Sequence, residues 1–116
     1  MIKTKRVYEK AEASDGFRVL VDRLWPRGMK KEQVKADLWM KDVAPSDALR
    51  KFFHHEALRW PAFEKKYQAE LKKKKDCTAE LRKLEKQHGT LTLLFGARDP
   101  EHNQAVVLAE ALEKGS

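Results

Sequence analysis

The sequence has little cysteine, glycine or proline, and no long apolar run. A single Cys in 116 residues excludes an internal disulfide and any zinc ribbon or cluster built on cysteines. Five Gly and four Pro exclude a fibrous or low-complexity chain. No apolar stretch approaches the roughly 18–20 residues that cross a bilayer. The opening Met1-Ile2-Lys3-Thr4-Lys5-Arg6 lacks the apolar segment of a secretory signal. These absences lead to the expectation of a soluble, reduced, cytoplasmic protein with no membrane partner. No glycine-rich phosphate loop is present, so no cofactor is expected.

The 116 residues fit one domain spanning 1–116. With 41% hydrophobic and 37% charged residues the chain reads as globular. Its net charge of +7 invites an anionic partner without naming one. That charge is unevenly spread. Residues 17–37 carry six basic against three acidic groups, and residues 59–86 carry ten against five.

Secondary structure follows from patterning. Ile2–Tyr8 reads as a weakly alternating strand, and Glu9–Gly16 as a loop closed by Ser14-Asp15-Gly16. Phe17–Trp25 is a stronger strand, because Val19, Leu20 and Val21 run together as in a strand covered on both faces. Pro26 and Gly28 stop it. Lys30–Lys35 reads as a short helix, and Asp37–Val43 fits neither pattern. Ser46 is placed to cap a helix that faces Leu49, Phe52 and Phe53 inward. Trp60–Lys75 carries an apolar stripe of Trp60, Phe63, Tyr67 and Leu71. Asp76 is placed to cap a further helix ending at His88 before Gly89, with Cys77, Leu81, Leu84 and His88 inward. Leu91–Phe95 is a second buried strand. Asp99 is placed to cap a final helix with Pro100 at its first position, with Ala105, Leu108, Ala109 and Leu112 inward. Gly115 would end that helix, and Gly115-Ser116 reads as an expression remainder without function.

Strands alternating with helices predict an α/β fold. The expectation is a small three-layer domain with a mainly parallel three- to four-stranded sheet flanked by helices. The eight-residue loop after the first strand favours an antiparallel neighbour or a displaced edge strand.

The string Val19-Leu20-Val21-Asp22-Arg23-Leu24-Trp25-Pro26-Arg27-Gly28 resembles the DUF488 family of bacterial proteins, in its short YeaO-like branch. The likeness continues through Asp37, Trp39, Lys41, Ala44-Pro45-Ser46, Leu49-Arg50, Phe53, His55, Trp60, Phe63, Tyr67 and Glu70-Leu71. It resumes at Leu91-Thr92-Leu93-Leu94, Ala97, Asp99 and His102-Asn103. The resemblance names a family without an assigned function. Longer members carry a Cys-His-Arg string after the Asp-Pro of the last helix. Asn103, Gln104 and Ala105 stand there in this chain, so thiol chemistry is not carried over.

Ligands of parallel α/β sheets bind beyond the carboxyl ends of the strands. The two clearest strands end in unusual groups: Asp22, Arg23, Trp25 and Arg27 after one, Arg98, Asp99, His102 and Asn103 after the other. Parallel pairing would bring them to one edge. Arg23 and Arg27 offer planar forks for phosphate or carboxylate. Trp25, Arg98 and Asn103 would complete a ligand shell. His102 is the candidate acid or base, with Asp99 or Asp22 to orient it. The bland readings stand beside these. Asp99 serves as a cap, the arginines as members of an ion-pair network, Trp25 and Trp39 as packing, and His102 as a hydrogen-bonded helix-start residue.

Other features point less clearly. His54 and His55 would lie about 100° apart on a helix and cannot share a metal, and no metal site is expected. Cys77 on an apolar stripe reads as a small core residue. Lys72-Lys73-Lys74-Lys75, with Lys65 and Lys66, reads as a solvated helix face or as a contact for nucleic acid backbone. The expectation is therefore a small domain binding a phosphate- or carboxylate-bearing ligand at the strand ends, with enzymatic activity left open. The alternative is a nucleic-acid or protein-interaction module using the basic helices of residues 59–86.

Overall fold

The apolar runs of the sequence become neighbours. In the computed structural model, which describes residues 1–54 and 56–114, four strands form one parallel sheet in the order β1-β4-β2-β3. They are β1 (Ile2–Arg6), β2 (Phe17–Leu20), β3 (Leu38–Trp39) and β4 (Leu91–Phe95). β4 pairs on both sides, and all five of its residues are buried, which is why it reads as unbroken Leu-Thr-Leu-Leu-Phe. The register sets Arg6 against Phe95 and Leu20 against Leu94, so β1, β4 and β2 end at one level.

β1 is a displaced edge strand, as its short connection allowed, but it runs parallel rather than antiparallel. The connection passes only the intervening β4. It is built from a 3-10 turn at Ala13–Asp15 instead of a full crossover helix. The return to β2 is tight at Gly16. There φ is +63°, and a Cβ would lie 2.3 Å from the Thr90 carbonyl oxygen.

Four helices cover one face of the sheet: α2 (Asp47–Phe53), α3 (Trp60–Lys72), α4 (Lys75–His88) and α5 (Gln104–Lys114). Leu49, Phe63, Tyr67, Leu81, Leu108 and their neighbours pack there on Val19, Leu91, Leu93 and Phe95. The other face holds a smaller cluster of Val7, Leu20, Val34 and Leu94, flanked by Trp25, Met29 and Trp39. Its cover among the described residues is the four-residue α1 (Lys31–Val34) and loops. The three layers are thus present but unequal.

Several boundaries differ from the patterning. β2 stops at Leu20 rather than at Trp25 because the Asp22 carboxylate takes the backbone N–H of Gly96, parting the two strands. α3 ends at Lys72 and α4 starts at Lys75, so Asp76 sits in the first turn of α4 rather than capping it. α5 begins at Gln104, not Pro100. Asp99 Oδ1 instead accepts from the N–H groups of Glu101 (2.9 Å) and His102 (3.2 Å), closing a separate turn. Asn103 Oδ1 caps α5 by accepting from Val106 N–H at 3.2 Å. His88, expected on the inner stripe, is exposed and stacks on Phe17 at 4.5 Å. Ser46 caps α2 as expected, its Oγ accepting from Leu49 N–H at 3.2 Å. His55 and Gly115-Ser116 lie outside the described residues.

The thinly covered face also buries charge. Asp15 and Arg18 are 2% and 5% exposed. Lys5 Nζ stands 3.1 Å from Asp15 Oδ1, and Arg18 Nη1 is bonded to Asp15 Oδ2. Arg18 also donates to the carbonyls of Lys35 (3.0 Å) and Val34 (2.7 Å). Among the described residues no buried side-chain nitrogen or oxygen lacks a partner.

Candidate ligand-binding cleft

A cleft of about 500 Å³ opens at the carboxyl ends of β2 and β4. Its walls come from three parts of the chain. The segment after β2 supplies Asp22, Arg23, Trp25 and Arg27. The segment after β4 supplies Gly96 and Ala97. The start of α5 supplies Gln104. Phe53, Phe63, Ala44 and Pro45 add an apolar side, and Arg50 lies on it.

Asp22 sits half-way into this cleft with no cation beside it. Its Oδ2 accepts from Gly96 N–H at 2.8 Å, and its Oδ1 accepts from the Gln104 side-chain amide. Among the described residues it forms no ion pair. Burial pushes its pKa up to about 6, against the pull of those two hydrogen bonds. The fit at Gly96 is close, because a Cβ at that position would lie 3.0 Å from Asp22 Oδ2 and the carboxylate would have to give way.

The arginines are arranged around a different carboxylate. Asp47, at the first position of α2, lies 3.7 Å from Arg23 Nε and 3.3 Å from Arg50 Nη2. Arg23 Nε also donates to the Pro45 carbonyl at 3.3 Å. Both guanidinium groups keep further donors, since a guanidinium has five N–H bonds. Arg27 is exposed and makes no ion pair among the described residues. Trp25 is held by its indole N–H on the Met29 carbonyl (2.6 Å) and packs edge-on to Trp39 at 5.2 Å.

The expected convergence is therefore partial. Asp22, Arg23, Trp25 and Arg27 line one cleft, whereas Arg98, Asp99, His102 and Asn103 do not. Arg98 is exposed. Asn103 is 1% exposed and spends its side chain on the Asp99 carbonyl (2.8 Å) and the α5 cap. Asp99 and His102 pair with each other, Oδ2 to Nδ1 at 2.8 Å, on the outer side of the turn. The His102 ring rests edge-on against Trp60 at 5.1 Å. Hydrogen bonds from the Glu101 backbone and the His102 ring hold the Asp99 carboxyl below its usual range. The late start of α5 explains this split. With α5 starting at Gln104, the Gln104 amide meets Asp22 while His102 stays in the preceding turn with Asp99.

Gln104, Gly96 and Arg50 were not singled out as site residues. Arg50 carried a usable signal, since it stands one turn beyond the Ser46 cap. Gln104 carried none, because its place depends on a helix boundary. Among the described residues lining the cleft there is no His, Cys, Ser, Thr or Lys. No group of three or more His, Cys, Asp or Glu side chains among them is placed to hold a metal ion. Among the described residues no helix is long and apolar enough to cross a membrane.

Comparison with known proteins places the chain in a family. Residues 1–115 match a family described as "Inactive DUF488-N3 subclade". The chain is 46% identical over 111 residues to the uncharacterized protein YeaO of Escherichia coli K12, covering 96% of each. It is 41% identical over 111 residues to the uncharacterized protein Rv3073c of Mycobacterium tuberculosis H37Rv, covering 96% of this chain and 92% of that one. The uncharacterized protein Mb3100c of Mycobacterium bovis matches to the same extent. No solved structure matches significantly.

Proposed function

Because the chain belongs to the DUF488-N3i family, the inactive DUF488-N3 subclade, we propose a binding function for the cleft rather than a catalytic one. The ligand is a small molecule that bears a phosphate or carboxylate. The observation that carries this reading is the set of three arginines, Arg23, Arg27 and Arg50, on one cleft that Phe53, Phe63, Ala44 and Pro45 also line. Guanidinium forks suit planar or tetrahedral anions, and the phenylalanine and proline wall suits an apolar body. Asp22 adds a carboxylate with lone pairs to spare, which suits a hydrogen-bond donor on the ligand. The lack of His, Cys, Ser, Thr and Lys among the described lining residues, and the family's own description, both favour binding.

The test is an NMR titration of the uniformly labelled protein with sulfate and with benzoate. Both probes are expected to shift the Gly96, Ala97 and Gln104 amides and the Arg23, Arg27 and Arg50 Nε resonances. Arg23→Ala and Arg27→Ala should each weaken binding by about tenfold, the usual worth of a charge-assisted hydrogen bond. Shifts confined to other surfaces, or saturation untouched by either variant, would remove the proposal.

A further inference from the structure

A second concavity, of about 550 Å³, lies against the first. Arg23 lines both. The rest of the second wall comes from the turn between α3 and α4, with Lys72, Lys73, Lys74 and Lys75, and from Asp42, Asp76 and Cys77. Ala44 and Pro45 form the partition. Lys74 Nζ donates to the Ala44 carbonyl at 2.7 Å, and Arg23 Nε donates to the Pro45 carbonyl at 3.3 Å. Both partition carbonyls are thus already covered by cations. Lys72, Lys73 and Lys75 are exposed and make no ion pair among the described residues. Five cationic side chains face two carboxylates around this space.

The lysine run in isolation reads as a solvated helix end. Its tertiary setting differs: the run spans the junction of α3 and α4, beside an arginine that arrives from β2. From this continuity we infer that the cleft's ligand is a polyanion with two or more linked anionic groups, such as a di- or triphosphate ester. One anionic group meets Arg23 at the partition, and the next lies over Lys72, Lys73 and Lys75. The inference rests on the anion-binding reading of the cleft and specifies its ligand. A small polyanion is favoured over a nucleic acid strand on two counts. Both sites are short concavities rather than an extended stripe, and no aromatic side chain lines the lysine side for base stacking.

The experiment compares sulfate, pyrophosphate and tripolyphosphate binding to the full chain by NMR and calorimetry. It is repeated with the triple variant Lys72→Ala, Lys73→Ala, Lys75→Ala. Lys74 is retained because it holds the Ala44 carbonyl. The variant's amide spectrum checks its fold. Tripolyphosphate is expected to bind about tenfold more tightly than sulfate at low salt, with a steeper salt dependence. It should shift both the Gly96–Ala97 amides and the 72–77 turn. The triple variant should lose the gain and keep sulfate binding. Equal tripolyphosphate affinity in the triple variant overturns the inference and leaves the cleft reading standing. Tripolyphosphate confined to the lysines, with no response at Gly96 or Ala97, overturns both. Binding of a single-stranded oligonucleotide without tripolyphosphate binding also overturns the inference.

Discussion

Two aspartates on this sheet are both withdrawn from water, and their surroundings are opposite. Asp15, on the thinly covered face, is bonded by Lys5 and Arg18 and accepts the Glu12 backbone N–H at 3.0 Å. Asp22, at the strand ends, meets two neutral donors among the described residues, Gly96 N–H and the Gln104 amide. Hydrogen bonds from Glu12, Lys5 and Arg18 outweigh the burial of Asp15 and hold its carboxyl below the usual range. Burial wins at Asp22 and raises it to about 6. The chain has cations to spare near Asp22, yet Arg23 and Arg50 are drawn to Asp47 instead. A buried carboxylate paired with cations is structure. One left with neutral donors, its neighbouring arginines drawn to another carboxylate, is what the proposed ligand site rests on.

The comparison breaks most easily at Asp15. Asp15→Ala leaves the buried Arg18 without its carboxylate and Lys5 with Glu12 alone (2.9 Å), and should cost about 3–5 kcal/mol in urea unfolding. A loss under about 1 kcal/mol would mean that Lys5 and Arg18 find water, and that the cluster is not structural.

The two aspartates also respond oppositely to pH. Asp15, lowered in the folded state, contributes stability above the carboxylate range and loses it as pH falls through its folded pKa. Asp22 is raised, so its native state holds the proton more tightly than the unfolded chain does. Its contribution is present below about pH 4 and is lost as pH rises through about 6. The shift from 3.8 to about 6 corresponds to about 3 kcal/mol across that window. Asp22→Asn should therefore be more stable relative to the parent at pH 7.5 than at pH 4, by up to that amount. A flat difference curve would show that Asp22 is not desolvated.

Smaller effects sharpen the same contrast. Gly96→Ala puts a Cβ against Asp22 Oδ2 and should cost about 1–2 kcal/mol by displacing the carboxylate from its amide donor. Gln104→Ala should change stability least. It removes a donor that favours the charged form, so the Asp22 carboxyl resonance should titrate higher than in the parent. A lower titration would assign Gln104 some other role.

Much of the fold was legible because it depends on burial. Val19-Leu20-Val21 and Leu91–Phe95 read as strands since both faces of each are covered, and the parallel sheet followed from their separation by helices. The all-parallel direction of β1 was not legible, because a ten-residue connection closes it by a tight approach of Gly16 to Thr90 that patterning does not register. Half of the candidate site was legible for a local reason: Asp22, Arg23, Trp25 and Arg27 are consecutive or nearly so. The other half depended on where α5 begins. Two capping residues, Asp99 and Asn103, compete four positions apart, and the outcome decides whether His102 or Gln104 faces Asp22. The joining of Arg23 to the lysine turn is wholly tertiary, and no single segment carries it.

The direct test of the account is sulfate affinity at pH 5 and at pH 8. Sulfate keeps its charge over this range, and among the described lining residues Asp22 is the group that titrates within it. Protonating Asp22 removes a negative charge from the cleft, whereas ionised Asp22 repels an anion there. The account predicts tighter sulfate binding at pH 5 in the parent, with shifts at Gly96, Ala97 and Gln104, and equal binding at both pH values in Asp22→Asn. Binding that is the same at both pH values in the parent, or that strengthens toward pH 8, would contradict it.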